Sequence, residues 1–127
     1  METTNQIIRV VRGQTHWSSL QHLGFNIRRE PDRWIMPPVL KELVVPRISD
    51  VAAGILSLRS NPEELREWAS FVLAASSLIS LEKMDETNLG KKVLEALWDL
   101  SFGKDVSEEL VRLAQSAIQT ERKEEAL

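Results

Sequence analysis

From residue 49 onward the apolar positions repeat every three or four residues, the period of an amphipathic helix. In SDVAAGILSL, Val51, Ile55 and Leu58 share one face. Ser49 is the expected N-cap of that first helix, which should end near Arg59. The next start is sharper. Asn61 can cap, Pro62 occupies the first helical position where a missing N–H is no loss, and Glu64 stands where a capping-box acid would stand. Leu65, Trp68, Ala69, Val72, Leu73, Ser76 and Ile79 then trace a core-facing stripe, predicting a helix of about 18 residues.

Beyond the polar stretch EKMDETN, a third helix should turn Val93, Leu94, Leu97, Trp98 and Leu100 inward and stop at Gly103. A fourth opens at Asp105 or Ser107 and presents Leu110, Leu113, Ala114, Ala117 and Ile118. Helices joined by short connections can bury such faces only against one another. The expected fold is therefore mainly α: a compact bundle of four or more helices, with the helical core at residues 49–120 and a solvated, frayed tail at 121–127.

The first 48 residues lack this regularity and are expected to form an irregular arm packed on the core. Ile7, Ile8, Val10 and Val11 suit a short strand or a short helix, and the pattern leaves both open. Pro31, Pro37, Pro38 and Pro46 interrupt regular structure, leaving room between Pro38 and Pro46 for a helix of two turns. The 127 residues fit a single domain, whose folding would bury roughly two-thirds of the unfolded surface. No internal repeat or low-complexity segment interrupts it.

Composition adds limits on chemistry. The chain has no cysteine, so it needs neither disulfide nor thiolate metal site, which suits a reducing, cytoplasmic setting. Its longest apolar runs are too short to cross a membrane, and its N-terminus has no secretory pattern. Net charge is −3 and unevenly spread: residues 1–59 carry eight Lys or Arg against five Asp or Glu, and residues 60–127 carry eight against fourteen. The acidic second half disfavours nucleic acid and would attract a basic protein. Arg9, Arg12, Arg28, Arg29, Arg33, Lys41 and Arg47 are too dispersed to form a nucleic-acid face.

No catalytic motif appears. There is no G-x-S-x-G elbow, no phosphate-cradling glycine loop, and the two histidines, His16 and His22, stand in no metal-binding context. The paired acids Glu63-Glu64, Asp85-Glu86 and Glu108-Glu109 fall near helix N-termini, where the helix dipole favours them. Trp68 and Trp98 are expected in the core, whereas Trp17 and Trp34 lie in less regular sequence. Trp34 and Met36, flanking Ile35, are the apolar candidates for a protein contact. The expectation is a non-catalytic protein-binding module, with a self-associating structural protein, a homodimer through Trp34, Ile35 and Met36, as the alternative.

The helical segments ISDVAAGILSL, NPEELREWASFVL and GKKVLEALWDLSFG, with the acidic connection between the last two, resemble small bacterial immunity proteins of the colicin and polymorphic-toxin type. The resemblance spans Ile48 to about Leu113, roughly half the chain. It implies neutralisation of a cognate toxin, often a nuclease, by tight binding and without a cofactor. It would place Glu63, Glu67, Glu82, Asp85 and Glu86 against the basic cleft of such a toxin.

Overall fold

A computed structural model describes residues 2–44, 46–76 and 89–126. The described residues form seven helices: α1 (Glu2–Val11), α2 (Ser19–His22), α3 (Val39–Val44), α4 (Ile48–Leu58), α5 (Pro62–Ser76), α6 (Leu89–Ser101) and α7 (Glu108–Ala126). One short antiparallel ribbon pairs β1 (Arg28–Arg29) with β2 (Trp34–Ile35). The fold is mainly α and compact. In the core, α4 packs on α7 and α5 on α6, while α3 and α1 close over α5 and α4.

Local rules account for the helix ends. Asn61 Oδ1 accepts the Glu64 N–H at 3.5 Å at the start of α5, and Ser107 Oγ accepts the Leu110 N–H at 3.1 Å at the start of α7. Gly103, with φ +84°, ends α6. Its N–H donates to the Leu100 carbonyl at 2.9 Å and the Lys104 N–H to the Asp99 carbonyl at 3.4 Å, the paired bonds of a Schellman turn. The start of α4 departs from expectation. Arg47 is its N-cap and makes no side-chain cap bond, so Ser49 falls inside the first turn.

The arm is more regular than its prolines suggest. Residues 2–11 are helical, which decides between helix and strand. Gly13, with φ +72°, ends α1 by the same turn as Gly103: Gly13 N–H to Val10 carbonyl at 3.0 Å and Gln14 N–H to Arg9 carbonyl at 2.8 Å. Ile7, Val10, Val11, Leu20, Ile27, Leu40 and Val44 all join the buried cluster that also holds Val51, Ile55, Phe71, Val72, Val93 and Leu97. The first 44 residues thus contribute to the core and are not merely draped over it. At the other terminus, α7 continues through Ala126 where fraying from residue 121 was expected.

A helix end leaves carbonyls without intrahelical partners, and a buried one must find others. At the end of α1 each is accounted for. Arg9 and Val10 accept from the Schellman turn. Trp68 Nε1 lies 3.1 Å from both the Val10 and Val11 carbonyl oxygens, and Ser57 Oγ lies 3.1 Å from that of Arg12. The Arg12 guanidinium also pairs with buried Asp50, in the first turn of α4 where a carboxylate is favoured. Gly54 makes this approach possible. A Cβ there would sit 2.3 Å from Trp68 Cζ2 and 2.8 Å from the Val11 carbonyl oxygen, closer than atoms can pack.

Gly54→Ala should therefore lower stability by about 2 kcal/mol or more, an overpacking cost, despite alanine's better helix propensity. Trp68→Phe should cost about 1–3 kcal/mol, because it strands the Val11 carbonyl. Urea denaturation measures both. Loss in the double variant should fall short of the sum, since both changes disrupt one contact.

Candidate functional site

Helix α5 buries one side in the core through Leu65, Trp68, Ala69 and Val72. Its neighbouring side carries Glu64, Glu67 and Ser70 toward the arm, whereas Glu63 lines a separate pocket with Arg59, Arg66 and Lys104 at the turn after α6. The Schellman turn at Gly13 reverses the chain and delivers Thr15, His16 and Trp17 alongside that side. The β ribbon adds the rest: its register sets Arg29 directly opposite Trp34, and directly opposed side chains on a ribbon touch. The Arg29 guanidinium carbon lies 4.7 Å from the Trp34 ring centroid, a cation–π contact.

These rings form a run along α5. Trp17 meets Trp34 edge to face at 5.1 Å, and Trp34 meets Phe71 the same way at 5.5 Å, the geometry that aromatic quadrupoles favour. Ser70 Oγ accepts Trp34 Nε1–H at 2.8 Å and an Arg29 guanidinium N–H at 3.4 Å. Glu67 Oε1 accepts Trp17 Nε1–H at 3.2 Å and lies 3.8 Å from His16 Nε2. On the other ring nitrogen, His16 Nδ1 is 3.2 Å from the Ser18 backbone N–H, which can only donate. Nδ1 is therefore the acceptor, and in the neutral imidazole the proton resides on Nε2, facing Glu67.

Between the turn and α5 lies an open cleft of about 250 Å³, lined by Thr15, His16, Trp17, Glu64, Glu67 and Phe71 among others. The described lining contains two carboxylates and neither Lys nor Arg. Thr15 Oγ1 is buried and makes no hydrogen bond within the described structure. The His16 and Glu67 side chains remain 56% and 45% exposed, so water reaches the pair. The Ser18 hydroxyl, 2.9 Å from His16 Nδ1, is not part of the lining. No three His, Asp or Glu side chains gather into a metal-holding group among the described residues.

No protein family model, curated protein or solved structure matches the chain.

Of the acids singled out from the sequence, Glu63 and Glu67 are exposed on α5, and only Glu67 reaches the cleft. Glu82, Asp85 and Glu86 lie outside the described residues. Trp34 and Met36 are half-buried against the core. Glu64, read from the sequence as a cap acid, and Thr15 and His16 belong to the cleft although nothing in their spacing signals it. The arm meets α5 some 50 residues away in sequence. Trp98 corrects the sequence expectation. It is 42% exposed and packs edge to face at 5.0 Å on Phe102, itself 63% exposed. Val93, Leu97 and Leu100 fill the inward face of α6 without it.

The exposed cleft acids should be removable without loss of the fold. Glu64→Gln and Glu67→Gln should each shift stability by no more than about 0.5 kcal/mol, and Trp98→Ala by under about 1 kcal/mol. Trp34→Ala, which breaks the aromatic run and the Ser70 bond, should cost about 2 kcal/mol or more. Chemical denaturation monitored by circular dichroism ranks the four.

Proposed function

We propose that the chain acts by binding another protein through the surface where the arm meets α5. The use we assign to that binding is neutralisation of a basic toxin, as the resemblance to immunity proteins implies. The observation that carries the proposal is the cleft itself: Glu64 and Glu67 stand beside aromatic rings at an open surface, with neither Lys nor Arg in the described lining. Such a site attracts a basic partner and speeds its encounter. Exposed Glu63 on the same helix lies in a neighbouring pocket with Arg59, Arg66 and Lys104.

We take the role to be binding without catalysis. Exposure of the His16–Glu67 pair and the position of the Ser18 hydroxyl outside the cleft favour this, since nucleophilic catalysis needs nucleophile and base to converge on one enclosed point. Self-association is the alternative. Half-burial of Trp34 and Met36 leaves them less surface to offer, and the observation that favours a homodimer is instead the exposed Trp98–Phe102 pair on α6.

The decisive experiment is co-expression with the protein encoded beside this one. If that protein is toxic, the chain should restore growth, and Glu63→Lys, Glu67→Lys and Asp85→Lys together should abolish rescue while the variant remains folded. Rescue that survives the triple reversal, or a neighbour without toxicity, contradicts the proposal. Light scattering addresses the alternative, which requires a dimer that Trp98→Ala dissociates.

A further inference from the structure

The cleft at the arm and α5 has a composition that suits one kind of occupant. Its volume of about 250 Å³ lies below the roughly 300–1,000 Å³ of pockets that enclose drug-sized ligands and cofactors. One long side chain is a better match. The charged groups facing it are acceptors, the Glu64 carboxylate and the second oxygen of Glu67, and the Gln14 amide beside them can accept as well as donate. A guanidinium has five N–H donors and no acceptor, so it is complementary to such a set. Its flat face also stacks on aromatic rings, which a compact ammonium does less well.

The chain already contains this contact once. On the middle ring of the same aromatic run, Arg29 lies over Trp34 at 4.7 Å and donates to Ser70. That ring is covered from within the molecule. Beyond Trp17 the run continues only to the exposed His16 ring, 5.0 Å away, beside Glu64 and Glu67, with no arginine among the described lining residues. From this difference between the two rings we infer that the cleft receives an arginine side chain of the partner protein, its guanidinium held by Glu64 and Glu67 against the Trp17 ring. The inference rests on the partner-binding function proposed above and adds the residue type that the partner must present.

The test uses the intact, ¹⁵N-labelled chain and N-acetyl-arginine-N-methylamide, with the citrulline analogue as a neutral isostere and the lysine analogue as an ammonium control, at fixed ionic strength. Four indole N–H resonances, assigned by single Trp→Phe variants, report the outcome. The arginine probe should move the Trp17 resonance saturably and leave Trp98 in place, the citrulline probe should have no effect, and the lysine probe should bind more weakly. Glu64→Gln and Glu67→Gln should each weaken arginine binding about tenfold, the loss of one charge-assisted hydrogen bond. Non-saturating shifts, equal response of Trp98, equal binding of lysine or citrulline, or indifference to both Glu variants would each overturn the inference. The growth-rescue experiment is independent of this titration. Rescue without arginine binding leaves the partner and removes the cleft's role, whereas arginine binding without rescue leaves the cleft and removes the toxin.

Discussion

The structure depends on how the C-terminal end of α1 is received. Four backbone carbonyls at that end have lost their helical partners and lie against the body of the protein, where an unpaired one would cost about 1–3 kcal/mol. Two are closed by the turn at Gly13. The others are met by the Trp68 indole of α5 and the Ser57 hydroxyl of α4. The Trp68 indole could not reach if position 54 carried a side chain, and the Arg12–Asp50 ion pair fixes the same junction from the side. One point therefore joins the arm to two helices of the core.

The candidate site follows from that junction. Once Gly13 has reversed the chain, the next residues, Thr15, His16 and Trp17, must run beside α5 just beyond Trp68. Helix α5 consequently has two duties on adjoining sides. Trp68 secures the fold, whereas Glu64, one turn before it, and Glu67, the residue before it, shape an exposed acidic cleft. The same division appears in the aromatic residues: Trp68 gives its N–H to backbone, while Trp17 gives its own to Glu67 and orients that carboxylate. Because the cleft acids sit at the surface, they contribute little to stability.

Much of the second half was legible in the sequence because its helices obey local rules. Asn61 with Pro62, and Gly103 at its stop, place helix ends from residue type alone, and the three-and-four spacing identifies Leu65, Trp68, Ala69 and Val72 as buried. Trp98 departs from the stripe because hydrophobicity alone carries no angle. Leu97 and Leu100 already hold the inward stripe, and Trp98, one residue past Leu97, is rotated about 100° away, where it meets Phe102 four residues on. The arm was underestimated for a different reason. Prolines show only where regular structure is interrupted, whereas Gly13 and Gly24, both with positive φ, mark where its short helices stop. The cleft could not be read at all, since it joins residues 15–17 to residues 64–71 through a contact that depends on the missing Cβ of Gly54.

The most direct test of this account is hydrogen exchange at the Trp68 indole N–H, followed by NMR in deuterated buffer. Held by two carbonyls within the core, it should exchange only when the whole molecule unfolds, at the rate of the most protected backbone amides of α5, while the exposed Trp98 indole exchanges at once. If Trp68 exchanges as readily as Trp98, the end of α1 is not held as described and the central claim is wrong.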